Sequence, residues 1–190
     1  TLFRSHSFRK RHVLRLRSQF LLLPPQLLAS KNVTLNRLPA IFGIYFFLFI
    51  TQEAVLNRIN FFIGGFSLYL AFFMAWIMQE ERNSAVTTGF IAGFILDLSP
   101  TLEAPFGLWT LVLTGMSYIL ATNVRAALDS ELSPVVMTVV TVVGSSVALL
   151  LFLLFGAILG QDVGSGSYVS QEILGNAMWA LLLSPLYVPI

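Results

Sequence analysis

Long apolar runs constrain what this chain can fold into more than any other feature of the sequence. Several of them approach or exceed the roughly 18 to 20 residues that a helix needs to cross about 30 Å of hydrocarbon. Of the 190 residues, 56% are hydrophobic and 11% are charged, whereas soluble proteins carry about 25% charged residues. Since a soluble core of this size does not need so many apolar runs, the sequence predicts a membrane protein.

Six apolar segments are candidate membrane helices. We predict an all-α polytopic membrane protein with about six transmembrane helices, at residues 38–56, 61–78, 84–98, 106–122, 134–159 and 173–190. Asn36 is a candidate cap for the first helix, and Pro39 then falls in the first turn, where a missing N–H is tolerated. The third segment is short enough to be tilted or re-entrant. Six full crossings would return the C-terminus to the side on which the chain starts.

Basic residues are concentrated at the start of the sequence. Residues 1–37 hold eight of the eleven Lys and Arg residues and no acidic residue. Because such blocks beside membrane helices mark the cytoplasmic side and contact anionic lipid, we interpret them as a cytoplasmic tail, either disordered or an upstream extension. A nucleic-acid-binding arm and a secretory signal are the alternatives, although the Pro24-Pro25 pair interrupts the apolar stretch of such a signal. Residues 38–190 would then be the transmembrane domain.

The loops between the predicted helices indicate their orientation. With the tail in the cytoplasm, Arg82 and Arg125 fall in inside loops and Arg58 falls outside, which agrees with the positive-inside rule. We therefore expect a multi-pass protein of the inner (cytoplasmic) membrane with both termini in the cytoplasm. A re-entrant third segment would invert everything after it and move Arg125 outside.

Side chains that could carry out catalysis are scarce in the predicted helices. The only histidines, His6 and His12, lie in the tail, so neither can act as the base for Ser145 or Ser146. We interpret these serines as small residues at helix contacts. The sequence also has no cysteine, no P-loop and no cluster with metal-ligand spacing. We therefore expect neither enzyme activity nor a cofactor or metal.

A stripe of small residues in the third segment ends at an acid. Gly89, Gly93 and Asp97 are spaced four residues apart, so on a helix they drift only about 80° around one face. Gly-x-x-x-Gly lets two helix backbones approach closely in lipid. Asp97 has two interpretations: it organises the turn into Ser99 and Pro100, or, as an acid at membrane level, it is functional. At the C-terminus of its own helix the carboxylate opposes the helix dipole unless donors offset it.

Residues 87–121, TTGFIAGFILDLSPTLEAPFGLWTLVLTGMSYILA, resemble the central signature of the rod shape-determining protein MreD family. The shared pattern is a Gly-x-x-x-Gly helix ending in Asp, a proline-containing loop, and a glycine that opens an apolar helix with Gly and Tyr inside it. The ending NAMWALLLSPLYVPI resembles the last helix of that family. The site that we predict, a helix-packing or partner interface, consists of Gly89, Gly93, Asp97, Gly107, Tyr118 and Asn176.

The resemblance implies a non-enzymatic scaffold of the bacterial cell-elongation machinery, which maintains rod shape through peptidoglycan synthesis. The implied partners are a bitopic MreC-like protein, an MreB-like filament, and a RodA-type polymerase with its penicillin-binding transpeptidase. Membrane lipid would surround the helices, and no nucleic acid is expected. In this reading, glycine-rich helix faces dock another membrane protein.

The alternative function is that of a substrate-binding membrane subunit of an energy-coupling vitamin transporter, because MreD-like proteins resemble those six-helix components. Such a subunit needs a pocket where several polar or aromatic groups converge. The candidates for such a pocket are Asp97, Glu103, Trp109 and Asp162. Their spacing in the sequence does not show whether they converge.

Overall fold

The structure, a computed structural model, describes residues 25–58, 65–99, 104–124, 133–161 and 164–184, with side chains from residue 37 onward. The chain divides into two units, Thr1–Ala40 and Ile41–Ile190. In the first unit the described part is helical from Pro25 onward. The second unit contains the residues of this helix from Ile41 onward and the other five α-helices of the described part.

Six α-helices occur in the described part of the chain. They are α1 Pro25–Ala54, α2 Leu68–Ile77, α3 Arg82–Asp97, α4 Leu108–Ile119, α5 Pro134–Ile158 and α6 Gly166–Leu182. A 3-10 turn, Leu56–Arg58, follows α1, and a π-helical turn, Leu120–Val124, continues α4. No strand occurs within the described ranges. The predicted all-helical class is confirmed, and each of the six helices overlaps one predicted segment.

Two helices, the first and the last, begin well before the starts that the sequence indicates. The first runs through Pro39 as an interior residue, so the predicted start at Asn36 is wrong. A proline removes one backbone hydrogen bond from a helix but does not oblige the helix to end there. The last helix begins at Gly166 because the Ser165 side chain accepts a hydrogen bond from the Tyr168 N–H and caps the first turn. Apolar content alone therefore places this start too late.

Two helical stretches in the described residues are long and apolar enough to cross a membrane, Arg37–Arg58 and Pro134–Ile158. A third apolar helix, Leu68–Ile77, has only 10 residues. Length and composition support membrane insertion only weakly, because the core helix of a soluble protein can pass the same test. The structure thus supplies six helices, of which two meet the criterion for a span.

The main core of the second unit lies among α1 to α5. Its centre is aromatic: the Tyr45 ring packs against the rings of Tyr69, Phe72 and Phe73 at centroid distances of 5.6 to 6.2 Å. A smaller cluster joins α2 to α6. Large apolar side chains remain exposed on the opposite faces of α1, α5 and α6, among them Phe46, Phe47, Val139, Val143, Leu150, Leu174 and Leu181.

Candidate functional site

Asp97, the last residue of α3, caps the N-terminus of α4. One carboxylate oxygen accepts a hydrogen bond from the Trp109 N–H at 3.0 Å, and the other accepts from the Thr110 N–H at 2.9 Å and the Thr110 hydroxyl at 2.5 Å. These N–H groups are among the four that a helix leaves unpaired at its start. The residue at the N-cap of α4 itself is Gly107, which has no side chain to offer. A different helix therefore supplies the cap.

The position of Asp97 makes its negative charge favourable, although the residue ends α3. At the C-terminus of α3 a carboxylate is unfavourable by about 0.3–1 kcal/mol. The same carboxylate, only 6% exposed, faces the positive N-terminal end of α4 and accepts three hydrogen bonds, each of which contributes about 1.5–3 kcal/mol when the acceptor is charged. The favourable contacts outweigh the unfavourable dipole. The carboxylate thus organises the start of α4 and not the turn at Ser99, whose hydroxyl donates to Glu53 at 3.1 Å.

Gly107 has a backbone conformation that other residues rarely adopt. Its φ is 98°, in the left-handed region, where a Cβ would approach the following carbonyl oxygen. This turn brings the chain into α4 so that the N–H groups of Trp109 and Thr110 point at Asp97. The glycine that opens the helix in the signature is therefore required by conformation. It makes no close packing contact, since a Cβ built on it would meet nothing within 4 Å.

Gly89 and Gly93 lie where the backbones of α3 and α4 meet. A Cβ built on Gly93 would overlap Thr110 Cα and stand 2.7 Å from the Trp109 carbonyl oxygen. A Cβ built on Gly89 would overlap the Ser117 hydroxyl and stand 2.8 Å from the Leu113 carbonyl oxygen. Real Cβ atoms do not come this close to backbone atoms, so only glycine fits. The glycine stripe is covered by α4 of the same chain.

Tyr118 lies at the other end of this helix pair. Arg82 Nη2 donates to the Tyr118 hydroxyl at 2.9 Å, and the guanidinium carbon stands 4.8 Å from the centre of the Tyr118 ring. Both side chains are exposed, so the contact contributes only modestly to stability. Helices α3 and α4 therefore form a helical hairpin, here called the α3–α4 hairpin, with contacts at both ends and close backbone packing between them.

Asn176 serves a different part of the fold. Its Oδ1 accepts the Ser67 N–H at 3.0 Å and its Nδ2 donates to the Ser145 hydroxyl at 3.1 Å. One turn earlier on α6, Glu172 accepts the Gly65 N–H at 3.1 Å. The N-terminus of α2 is capped by Ser67, whose hydroxyl accepts the Leu70 N–H at 3.2 Å, and the two α6 side chains hold the residues that lead into this cap. Of the six predicted site residues, five lie in the hairpin or its turn and Asn176 joins α6 to α2 and α5.

Gln52 and Glu80 are among the buried polar residues that the predicted site did not include. The Gln52 amide donates to the Phe66 carbonyl at 3.0 Å. The Glu80 carboxylate accepts the Trp76 indole N–H at 2.9 Å and the Thr88 hydroxyl at 2.7 Å. In the sequence, Glu80 stands beside further charged residues and resembles part of a solvated loop. Nothing in that pattern distinguishes it from its exposed neighbours.

The groups suggested for a transporter pocket are engaged in packing where the structure describes them. The carboxylate of Asp97 is bonded to α4, and the Trp109 ring stacks on Phe152 at 4.1 Å with the planes 12° apart. Glu103 and Asp162 lie outside the described residues. Within the described part there is no group of three His, Cys, Asp or Glu side chains that could hold a metal ion.

No known protein family, curated protein or solved structure matches the chain. The resemblance to the MreD family therefore rests on the residue patterns of 87–121 and of the last segment. What those residues do in the fold is the basis for assigning a function.

Proposed function

We propose that the chain is a non-enzymatic scaffold of the bacterial cell-elongation machinery, inserted in the inner (cytoplasmic) membrane. One observation carries the proposal: Gly89, Gly93 and Asp97, the core of the signature, join α3 to α4 through backbone packing and a helix cap. Residues used in this way build a fixed shape. Such a role fits a protein whose work is assembly better than one that transforms a substrate.

The exposed side chains support placement in lipid. Along the whole of α5 the outward positions are apolar and recur every three or four residues, at Val135, Val139, Val143, Val147, Leu150, Leu154 and Ile158. A stripe of this length facing water would be unfavourable, whereas lipid is its natural surroundings. With six crossings, the basic tail and Arg82 lie on the cytoplasmic side and Asp97 lies towards the outside. Both termini are then cytoplasmic.

The hairpin also suggests where a partner docks. Because α4 covers the glycine stripe, a partner has to dock on an exposed part of the hairpin, and one such part carries Phe90, Phe94 and Phe106. Phe90 and Phe94 stack at 6.4 Å, and Phe106 meets Phe94 edge-on at 5.8 Å. All three are exposed, by 53%, 37% and 66%. Aromatic side chains held by one another offer a large contact area at low entropic cost. We assign docking of the bitopic MreC-like partner to this aromatic row.

Co-purification from native membranes tests the proposal. At the same membrane abundance as the wild-type protein, the double variant Phe90→Ala/Phe94→Ala should no longer co-purify with the bitopic partner, and the cells should become round. The matched control, Val143→Ala/Val147→Ala, removes exposed apolar side chains from α5 and should retain both partner and rod shape. Recovery of the partner with both variants would remove the aromatic row as the docking surface. Co-purification of an ATPase module and a bound small molecule, with no cell-elongation protein, would replace the scaffold with the transporter subunit.

A further inference from the structure

Arg82 is an exposed cation that the fold holds in one place. Its Nη2 donates to the Tyr118 hydroxyl at 2.9 Å, and its guanidinium carbon stands 4.8 Å from the centre of the Tyr118 ring. A free arginine side chain is long and loses much conformational freedom when a ligand fixes it. Because Tyr118 already restricts this side chain, a ligand of Arg82 loses less binding free energy to ordering.

The charge of Arg82 is not neutralised within the described part of the chain. Both contacts of its guanidinium there are with Tyr118, an uncharged side chain. Its neighbour Glu80 is buried, and that carboxylate accepts the Thr88 hydroxyl. The other acidic neighbour, Glu81, is exposed and forms no side-chain hydrogen bond at the start of α3. A guanidinium has five N–H donors, so Arg82 has several left for an anionic ligand.

The surface of α4 that begins at Tyr118 is apolar. Tyr118 and Ile119 are each 48% exposed, and Leu111, two turns earlier on the same helix, is 62% exposed. A fixed cation at the edge of an apolar surface suits a phospholipid, because that molecule joins a phosphate to acyl chains. A soluble anion would pair with the cation and leave the apolar side chains uncovered.

The proposed placement in the membrane puts this pair at the depth of the lipid headgroups. Arg82 is the first residue of α3, and Tyr118 is the last residue but one of α4. With six crossings, both lie at the cytoplasmic end of the hairpin, where arginine side chains reach the headgroup region. The site therefore depends on the membrane insertion and orientation given under the proposed function, but not on any protein partner.

We propose that Arg82, held by Tyr118, binds the phosphate of a phospholipid in the cytoplasmic leaflet. The guanidinium donates two parallel hydrogen bonds to phosphate oxygens, a geometry that lysine cannot provide. An acyl chain of the same lipid covers Ile119 and Leu111. Tyr118 is a positioning residue, since it acts on the lipid by holding the guanidinium. No residue of the aromatic row belongs to the site.

Native mass spectrometry of the full chain in detergent, titrated with phosphatidylglycerol, tests the site. Arg82→Gln should bind the lipid about tenfold more weakly, the effect of losing one charge-assisted hydrogen bond. Arg58→Gln is the matched control, because Arg58 is also exposed and lies in the turn after α1; this variant should bind as the wild-type protein does. The basic residues of 1–37 are the same in all variants, so their attraction for lipid cancels in the comparison.

Two results of this titration would overturn the proposal. Wild-type affinity in Arg82→Gln would remove the site, and an equal loss in Arg58→Gln would show non-specific attraction to any exposed arginine. The titration needs no protein partner. Loss of the lipid site would therefore leave the proposed scaffold standing, and failure to co-purify a cell-elongation protein would leave the lipid result valid.

Further variants and competitors separate the positioning role from the ligand. Arg82→Lys keeps the charge without the planar fork, so its affinity should fall between those of the wild-type protein and Arg82→Gln. Tyr118→Ala leaves the arginine in place but unrestrained and should bind about three- to tenfold more weakly; wild-type affinity would contradict the positioning role. Neither diacylglycerol, which has the acyl chains without phosphate, nor inorganic phosphate should displace phosphatidylglycerol. Displacement by either one would overturn the assignment to a phospholipid.

Discussion

The carboxylate of Asp97 accepts the backbone N–H of Thr110 at 2.9 Å, so the end of one helix caps the start of the next. Thr110 is also the residue whose Cα a side chain on Gly93 would strike. The cap and the close approach therefore depend on each other. Because the helices touch at Gly93, the carboxylate one turn further along α3 reaches the free N–H groups of α4.

Substitutions at Asp97 should destabilise the hairpin more when they remove more of its hydrogen bonds. Asp97→Ala leaves the buried Trp109 N–H and the part-buried Thr110 N–H unpaired and should cost about 3 kcal/mol, or roughly 6–12 °C in Tm. Asp97→Asn keeps one oxygen but turns an amide N–H₂ towards the same donors and removes the charge that suits the helix N-terminus, so about 1–2 kcal/mol is expected. Thermal unfolding in one detergent measures both. A wild-type Tm in Asp97→Ala would show that the cap does not hold the hairpin.

Replacing a glycine by alanine adds one methyl group, and its effect on stability should depend on what surrounds that glycine. Gly93→Ala places a Cβ against the backbone of α4 and should cost about 1–3 kcal/mol. Gly115→Ala, on the open side of α4, meets nothing within 4 Å and should be neutral or stabilising by up to about 1 kcal/mol, since alanine favours helix. Equal Tm values for the two variants would contradict the close approach of α3 and α4.

A substitution at Gly107 tests backbone strain alone, because a side chain there would not contact other atoms. Gly107→Ala introduces a Cβ into open space but at a φ of 98°, which should cost roughly 1–2 kcal/mol. Gly166→Ala also enters open space, and Gly166 does not have a positive φ. It should therefore have little effect. Chemical denaturation compares the two. A stable Gly107→Ala together with a destabilised Gly166→Ala would reverse the assignment.

The sequence predicted the helical architecture well and the contacts less well. Six apolar runs predicted six helices because each run is long enough to form one, but local hydrogen bonds set the starts, as Ser165 does for α6. The Gly89 and Gly93 stripe was recognisable from its spacing. Its partner was not, because Gly-x-x-x-Gly has the same pattern whether the second helix belongs to the same chain or to another.

The role of Asp97 could be narrowed from the sequence but not assigned. Helix-dipole reasoning showed that its carboxylate needs donors. Those donors are N–H groups twelve and thirteen residues later, across a turn, and only the three-dimensional arrangement of α3 and α4 shows that they face it. The burial of Glu80 was harder still to predict from the sequence, because it depends on the Trp76 and Thr88 side chains, which belong to two different helices.

Six crossings predict the side on which exposed residues react. The chain has no cysteine, so single cysteines can be introduced where they are needed. We choose Asn83, in the first turn of α3, and Ser167, in the first turn of α6. Both positions are exposed. In intact cells a membrane-impermeant thiol reagent should label Ser167→Cys and not Asn83→Cys, and permeabilised cells should label both as a control. Shielding of both positions in intact cells would indicate that the third segment is re-entrant.

The most direct test of the account asks whether α3 packs against α4 of its own chain. Arg82→Cys and Tyr118→Cys replace two side chains in mutual contact, in a chain that has no other cysteine. A short bis-maleimide added to native membranes should join them within one molecule, so that the product migrates as a monomer and a protease cut between the helices leaves the two fragments linked. The contradicting result is a cross-linked dimer, together with a monomer band whose two fragments separate after the same cut. That result would place the glycine stripe against a second molecule.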